Sequence, residues 1–421
     1  MNQNKNYALP IAMMFALFFM VSFVTGLPSP MGVIVAKQFG ASNFESQLGF
    51  LANFIAYAFM GIPAGIMLKK YGYKKTALAA IMVGFIGVAV QYFSGIAESF
   101  TVYLTGAFIC GFSMCMLNTV VNPMLNTLGG GGNKGNQLIQ FGGSINSIGA
   151  TIVPVLVGYL MGAEAGRTIE KASPALFLAL GIFAVAFVVL FFVNIPEPHM
   201  ESSDDRKVKH AHSPLSFRHF IFGAIAIFIY VGIEIGIPST ANLFMTASKT
   251  ASNAGLGLDA TTAGSIVGLY WILMLVGRLV GASVGSKVSS KTMLITVSSA
   301  GLLFILLAIF SPLTTTITLP IVSTEVPLSI FFMVLCGLCT SIMWGGVFNL
   351  AVEGLGKYTA AGAGLFMVMV CGGGIVPLIQ GLVSDKVGYL GSFWVMFACL
   401  AYMLWYALVG CKNVNKDIPV E

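Results

Sequence analysis

One carboxylate, that of Glu234, lies near the middle of the apolar stretch FIFGAIAIFIYVGIEIGIPSTANLFM, which runs from Phe220 to Met245. This stretch is long enough to cross a bilayer as a helix, which takes about 20 apolar residues. A charge at that depth costs about 2.5–3.5 kcal/mol or more unless it is paired or hydrated, and burial favours the protonated form of a carboxyl group. Glu234 is therefore a candidate proton carrier, a ligand for a polar solute, or a partner in a structural ion pair.

Amide side chains and one tryptophan also fall within apolar stretches. They are Asn118, Asn122, Asn146, Trp344, Asn349 and Gln380. Amides donate and accept hydrogen bonds and an aromatic ring offers a flat apolar face, so together with Glu234 this set fits the binding of a sugar. Asn118 and Asn122 are four residues apart, which places them on one helix face. Alternatively, single amides tie helices together, and tryptophan also marks the bilayer interface.

Arg278 is the only other ionisable side chain that we place inside an apolar span. By residue count it lies about 10 Å nearer one membrane surface than Glu234, so a direct ion pair between them is not expected. We predict instead that Arg278 belongs to a gate at that surface. The other predicted gate residues are the lysines of a nearby loop, Lys69, Lys70, Lys74 and Lys75.

Side chains that could serve catalysis or bind a metal are poorly placed for either. All four histidines fall in or beside a single polar loop, and no span carries an Asp or a His at depth. The seven cysteines lie within or at the ends of apolar segments, where they fit as small packing residues. We therefore expect no enzyme activity, no metal site and no cofactor.

The composition excludes an ordinary soluble domain. The chain is 57% hydrophobic and 9% charged, with a mean hydropathy of +0.90, whereas soluble domains are about 25% charged. Its apolar runs predict an all-α integral membrane protein with twelve membrane-spanning helices. These lie near residues 8–36, 45–68, 76–96, 100–128, 136–162, 174–194, 219–246, 261–286, 292–311, 326–354, 359–384 and 388–411.

Basic residues are distributed unequally between the two sides of this topology. Fifteen Lys and Arg lie on the side of the termini and the even-numbered loops, and five lie on the other side. We call the first side the lysine-rich face; its loops carry Lys75, Lys134, Lys291 and Lys357. Because cytoplasmic loops carry an excess of basic residues, we predict both termini in the cytoplasm of a multi-pass inner-membrane protein. The same bias accounts for the net charge of +6 without a nucleic-acid partner.

The two halves of the chain resemble each other. GATIVPVLVG at 149–158 matches GGGIVPLIQG at 372–381, and GIPAGIML at 61–68 matches GRLVGASV at 277–284, with offsets of 223 and 216 positions. Such a repeat predicts two related bundles with the substrate held between them. The predicted parts are an N-terminal six-helix bundle at 1–195, a cytoplasmic linker at 196–217 and a C-terminal six-helix bundle at 218–421.

The loop after the second span, GIMLKKYGYKK, resembles the signature loop of the major facilitator superfamily, although that pattern usually has an Asp where this chain has Lys69. Further motifs are IPAGIMLKKYGYK, NPMLNTLG, INSIGATIVP, YVGIEIG, GRLVG and GGGIVP. In combination they resemble the fucose permease branch, sugar:proton symporters for fucose, glucose, galactose and related hexoses. The resemblance implies two pseudo-symmetric six-helix bundles and proton-driven uptake by alternating access.

The site residues of that family are only partly present here. Its two acidic positions correspond to Ser29 in the first span and Asn118 in the fourth. The resemblance carries over the asparagine of the fifth span as Asn146, the glutamate of the seventh as Glu234 and the cavity aromatic of the tenth as Trp344. Glu234 is then the only acidic proton carrier within the membrane, and it can also bind the sugar directly.

We therefore predict a secondary active transporter that imports a hexose-type sugar by proton symport, with the proton gradient as its energy source. Its partners are the sugar, protons and membrane lipid, and we expect a monomer. A sugar uniporter, or a carrier of another small neutral solute such as an amino sugar or a drug, is the alternative.

Overall fold

The computed structural model describes residues 7–26, 38, 48–161, 169–170, 172–197, 212–247, 249–250, 254–258, 260–319, 322–415 and 417–420. Ser29 and most of the predicted linker lie outside these residues. Within them the chain is almost entirely helical.

Six membrane-spanning helices form the N-terminal half. The first, fourth, fifth and sixth are Ala8–Gly26, Phe100–Leu128, Gly132–Met161 and Ser173–Phe192. The second and third spans form one helical segment, Leu48–Ile96, which bends at Gly72. A straight helix of its 49 residues would be about 74 Å long, so the segment crosses a hydrocarbon core of about 30 Å twice.

Six more spans form the C-terminal half, which begins after a 3₁₀ turn, Pro214–Ser216. The seventh, eighth and ninth are Arg218–Thr246, Ala260–Val284 and Ser290–Phe310. The tenth consists of Leu328–Thr340 and Met343–Val352, and a 3₁₀ turn, Gly356–Tyr358, follows it. The eleventh consists of Thr359–Met369 and the first part of Gly372–Trp405, which bends at Gly388 and continues as the twelfth through the π-helical turn Tyr406–Gly410.

The twelve predicted spans are confirmed. Eight described helical stretches are long and apolar enough to cross a membrane. Two of them, Leu51–Ile96 and Gly356–Gly410, contain the bends and provide two crossings each, and Ala8–Gly26 and Gly132–Met161 complete the set. The fifth span begins at Gly132, four residues before its predicted start, because the polar sequence GNKGNQ is itself helical.

A short β-hairpin after the ninth span was not predicted. Its antiparallel strands, Thr316–Leu319 and Thr324–Pro327, pair Thr316 with Pro327 and Leu319 with Thr324. The segment TTTITL is rich in β-branched residues, which favour extended backbone. It contains no long apolar run, which is the sequence feature that predicts a membrane span.

The repeat is visible in how lysines cap helix ends on the lysine-rich face. The Lys74 ammonium donates to the carbonyl of Phe191 at the end of the sixth span, at 2.8 Å. The Lys291 ammonium donates to the carbonyl of Leu408 at the end of the twelfth, at 3.2 Å. Both donor and acceptor are displaced by 217 positions, from 74 to 291 and from 191 to 408. The same contact therefore closes each half, as cations favour helix C-termini.

The third and ninth spans begin with different caps at equivalent positions. Ser289 caps the ninth span, accepting from the Thr292 N–H at 3.1 Å. Gly72, 217 positions earlier, has no side chain and adopts a left-handed φ of 83°. The cap there comes from Glu197, whose carboxylate accepts from the backbone N–H groups of Tyr73 and of the following Lys74, the latter at 3.0 Å. A distant acid thus replaces a local hydroxyl at the helix N-terminus.

The second and eleventh spans cross backbone to backbone. A Cβ atom placed on Gly364 would lie 2.8 Å from the Cα of Gly65 and 2.6 Å from the carbonyl oxygen of Gly61. Only glycine allows this approach, which is a usual device of membrane helix packing. Because Gly61 and Gly65 precede the basic loop, the crossing joins the two halves close to the lysine-rich face.

Candidate functional site

A cavity of about 150 Å³ lies where the two halves meet. The N-terminal half lines it with polar and aromatic side chains from the second, fourth and fifth spans: Tyr57, Asn118, Gln140 and Asn146. The C-terminal half contributes Tyr230, Glu234, Arg278, Ser341 and Trp344. Four predicted binding residues, Asn118, Asn146, Glu234 and Trp344, are therefore brought together around one space, as is Arg278.

Glu234 and Arg278 form an ion pair inside this cavity. The Arg278 guanidinium donates from Nη2 to Glu234 Oε1 at 3.1 Å, and the two side chains are 9% and 15% exposed, respectively. The expectation that these residues do not pair is wrong. A helical side chain tilts towards the N-terminus of its own helix, and the seventh and eighth spans run in opposite directions. The Glu234 side chain therefore leans towards the lysine-rich face, and the Arg278 side chain leans away from it. The two side chains together span the distance between their Cα atoms.

Arg278 also binds the N-terminal half. Its Nη1 donates to the carbonyl of Gly143 at 2.9 Å and to Ser147 Oγ at 2.6 Å, both on the fifth span. Its Nε donates to the carbonyl of Ser341 on the tenth span at 3.2 Å. One guanidinium thus joins three spans of different halves, and its charge is balanced by Glu234.

Pro238 leaves the backbone carbonyl of Glu234 without its usual helical hydrogen bond. A proline inside a helix has no N–H, so the carbonyl four residues earlier loses its helical partner. In the seventh span that carbonyl belongs to Glu234, and the Tyr270 hydroxyl donates to it at 3.3 Å. The same hydroxyl lies 2.9 Å from Thr340 Oγ1. The eighth and tenth spans thereby hold the carboxylate-bearing turn in place.

The cavity asparagines are oriented by neighbouring groups. Asn118 donates to the Tyr57 hydroxyl at 3.2 Å and to the Met114 carbonyl at 3.1 Å, and Asn146 donates to the Phe18 carbonyl at 3.3 Å. Both asparagines line the cavity. Such amides can accept hydrogen bonds from hydroxyl groups of a solute.

Asn122 is not part of the cavity lining, but it bonds to two residues that are, Asn118 and Trp344. It is fully buried, and its side-chain oxygen accepts from the indole N–H of Trp344 at 3.0 Å. Its amide donates to the carbonyl of Asn118 at 2.9 Å, in agreement with the predicted shared helix face. Asn122 therefore orients Trp344 from the opposite half.

Two further predicted binding residues lie away from the cavity lining. Asn349 donates to Ser290 Oγ at 2.9 Å and accepts from Asn126 at 2.9 Å, so it joins the tenth span to the ninth and the fourth. Gln380 is fully buried, its side-chain oxygen lies next to Gly236, and neither of its amide atoms has a hydrogen-bond partner in the described part of the chain.

Gln140, Tyr57 and Tyr230 line the cavity but were absent from the predicted set. For Gln140 the sequence contained a usable signal. Gln140, Ser144 and Ser147 follow one another at intervals of four and three residues, which makes a polar stripe along one face of the fifth span. All three are buried, and Gln140 donates to the carbonyl of Ile342 in the other half at 3.0 Å.

Two of the four predicted gate lysines, Lys70 and Lys74, have contacts within the N-terminal half. Lys74 holds the end of the sixth span, and the Lys70 ammonium lies 5.2 Å from the ring centroid of Tyr71. Near the lysine-rich face, neutral amides make hydrogen bonds that cross between the halves, in addition to the glycine crossing of the second and eleventh spans. Besides the Asn126–Asn349 bond, Gln137 donates to the carbonyl of Ala282 at 3.0 Å. The halves are in contact on that side of the cavity.

A larger groove of about 780 Å³ has a different character. It lies between the first, fifth and sixth spans and is lined by apolar residues such as Phe19, Ile145 and Phe177. With no polar group to bind hydroxyls, it does not suit a sugar. The described residues also contain no group of three or more His, Cys, Asp or Glu that could hold a metal ion.

Comparison with known proteins gives matches along most of the chain. A glucose/galactose transporter of Brucella abortus biovar 1 (strain 9-941) is 29% identical over 98% of this chain and 96% of its own length. The L-fucose-proton symporter of Escherichia coli (strain K12) is 23% identical, over 96% and 94%. A crystal structure of a Major Facilitator Superfamily transporter, FucP, in the outward conformation aligns with a TM-score of 0.81 at 20% identity, covering 97% of this chain and all of that one. The model of the Major Facilitator Superfamily matches residues 14–376, and this chain belongs to that superfamily.

Proposed function

We propose that this protein imports a hexose-type monosaccharide together with protons, by alternating access to the cavity between its halves. The observation that carries the proposal is the composition of that one cavity. It combines amide and aromatic groups suited to a sugar with a carboxylate suited to a proton, at the junction of two halves that must move relative to each other.

The size and charge of the cavity favour a small neutral solute. Its volume of about 150 Å³ is below the range of about 300–1,000 Å³ usual for sites of drug-sized ligands. Glu234 and Arg278 cancel each other's charge, so an organic anion would find no unbalanced cation there. The names of the relatives, a glucose/galactose transporter and a fucose-proton symporter, support a hexose and proton coupling.

Glu234 is the proton carrier in this proposal. Among the described residues it is the only carboxylate that lines the cavity. In its ionised form it holds Arg278, and in its protonated form it remains a hydrogen-bond donor and acceptor for a sugar hydroxyl. One residue can therefore serve both the proton and the sugar. The proton gradient supplies the energy, and the transport cycle needs no cofactor.

The lysine-rich face lies in the cytoplasm of the inner membrane in this account, with both termini. The contacts between the halves on that side then close the cavity towards the cytoplasm, which corresponds to the outward-facing stage of the cycle. Release of the sugar inside the cell requires these contacts to break. The protein works as a monomer, since both halves of the site come from one chain.

Uptake into vesicles tests the proposal. Purified protein reconstituted into liposomes with an inward proton gradient should accumulate labelled glucose, galactose or fucose above the external concentration, and a protonophore should abolish the accumulation. Uptake that stops when the internal and external sugar concentrations are equal, and that the protonophore does not change, would show a uniporter. The absence of uptake of all three sugars would refute the hexose assignment.

A further inference from the structure

Arg278 has a bonding pattern that an ion pair alone does not require. Two of its nitrogens bind the C-terminal half, through Glu234 and the carbonyl of Ser341, while the third binds the N-terminal half through Gly143 and Ser147. A guanidinium is planar and its N–H groups have fixed directions. Glu234 and Ser341 therefore determine where Nη1 points, and it points at the fifth span.

Arg278 is the only charged group that faces Glu234 among the described residues. The other titratable groups nearby are Tyr230 on the seventh span, Tyr270 on the eighth, Cys336 beside Tyr270 on the tenth, and Tyr57 across the cavity. Tyrosine and cysteine side chains in apolar surroundings are neutral at physiological pH. A proton on Glu234 therefore leaves the Arg278 charge without a counter-ion.

We propose that Arg278 couples the protonation of Glu234 to separation of the two halves at the lysine-rich face. This inference rests on the proposed function, in which Glu234 carries the proton. With Glu234 ionised, the ion pair is neutral and Arg278 holds the fifth span, so the closed arrangement is stable. With Glu234 protonated, the closed arrangement contains an unbalanced buried cation, which is costly. Opening the lysine-rich face hydrates the cation, so protonation favours the open arrangement.

The position of Arg278 suits this role as a positioning residue. It lies on the eighth span six residues before Val284, the last residue of that helix, and four residues before Ala282, whose carbonyl binds Gln137 of the fifth span. The two bonds to the fifth span, at Gly143 and Ser147, continue the same interface deeper into the membrane. Loss of the Arg278 bonds therefore weakens the contact between the fifth and eighth spans along its length.

Hydrogen–deuterium exchange of the purified full-length protein tests the coupling at a single pH. Glu234→Gln mimics the protonated carboxyl, and we expect it to speed exchange of amides at the lysine-rich ends of the fifth and eighth spans by about tenfold, within the range of about 5–150-fold usual for coupled sites. In an Arg278→Gln background, Glu234→Gln should add no further increase. An undiminished tenfold increase in that background, or no increase in the wild-type background, would overturn the proposal.

Ser147→Ala provides a second variant if Arg278→Gln does not fold. It leaves the ion pair intact and removes one acceptor on the fifth span. We expect faster basal exchange and a smaller increment from Glu234→Gln. The matched control is Ser113→Ala, a buried serine that donates to the carbonyl of Ala80 within the N-terminal half. A purely structural role of Arg278 predicts that Ser147→Ala, like this control, leaves the increment unchanged.

The same protein preparations separate this inference from the proposed function. If wild-type vesicles fail to accumulate sugar under a proton gradient, the proposed function is wrong. If they accumulate sugar but the increment from Glu234→Gln is the same with and without Arg278, only the coupling role of Arg278 is wrong.

In a pH series corrected for intrinsic amide exchange, opening of the wild type should increase as pH falls, and Arg278→Gln should remove this dependence.

Discussion

Trp344 of the tenth span, which lines the central cavity, donates its indole N–H to the side-chain oxygen of Asn122 in the fourth span, at 3.0 Å. The bond joins the two halves and fixes the orientation of an aromatic ring that lines the cavity. We expect Trp344→Phe, which keeps an aromatic face but loses the N–H, to weaken sugar binding. The buried Asn122 oxygen would lose its partner, at a cost of about 1–3 kcal/mol.

A double-mutant cycle tests this prediction. Sugar affinity and thermal stability should be measured for Trp344→Phe, Asn122→Ala and the double variant. Residues that share a hydrogen bond should be non-additive by about 0.5–1.5 kcal/mol. Additive effects would mean that the bond does not orient the ring in solution.

Asn349 offers a comparison between a bond across the halves and a bond within one half. Asn126→Ala removes its bond to the N-terminal half, whereas Ser290→Ala removes its bond to the C-terminal half to which it belongs. We expect Asn126→Ala to raise the fraction open at the lysine-rich face by about two- to tenfold, the equivalent of one net hydrogen bond. Hydrogen–deuterium exchange at the end of the fourth span measures this, and an equal shift in Ser290→Ala would contradict it.

Glu197 and Ser289 cap equivalent helices in the two halves, although only Ser289 is local to its helix. We expect Glu197→Ala and Ser289→Ala each to destabilise the protein by about 1 kcal/mol, because each exposes N–H groups of a helix N-terminus. Thermal unfolding of the two variants provides the measurement. An unchanged Tm of Glu197→Ala would show that the distant cap does not stabilise the third span.

The pH dependence of the Glu197 cap has an unusual sign. Burial raises the pKa of Glu197 above its ordinary value, against the opposing effect of the N–H groups of Lys74 and Tyr73. A carboxyl with a raised folded-state pKa stabilises the fold most at low pH and loses that contribution as pH rises. Relative to Glu197→Gln, which does not titrate, the wild-type Tm should fall as the pH rises above about 4, the ordinary pKa range of a glutamate. A rise of this relative Tm with increasing pH would contradict the shift.

Two predicted binding residues should behave oppositely. Asn146→Ala should weaken sugar binding, since Asn146 lines the cavity. Gln380→Leu should leave sugar affinity unchanged and raise the Tm, because the amide of Gln380 is buried without a described partner. Isothermal titration and thermal unfolding distinguish them. Weaker binding in Gln380→Leu would place that residue in the sugar path.

The apolar pattern was sufficient to predict the twelve spans, since bilayer thickness fixes their length. It also singled out Glu234, because a charge is conspicuous in an apolar run. The rotation of each helix about its axis was not readable from the runs, so Asn349 and Gln380 could not be separated from Asn118 and Asn146. The Arg278 contact was missed because a residue count places Cα atoms, while the side chains of antiparallel helices lean towards each other.

The most direct test of the account is transport by Glu234→Gln. In reconstituted vesicles this variant should still exchange labelled for unlabelled sugar, because the amide retains hydrogen-bonding capacity, but it should not accumulate sugar under an inward proton gradient. Accumulation at the wild-type level by Glu234→Gln would contradict the claim that Glu234 carries the proton.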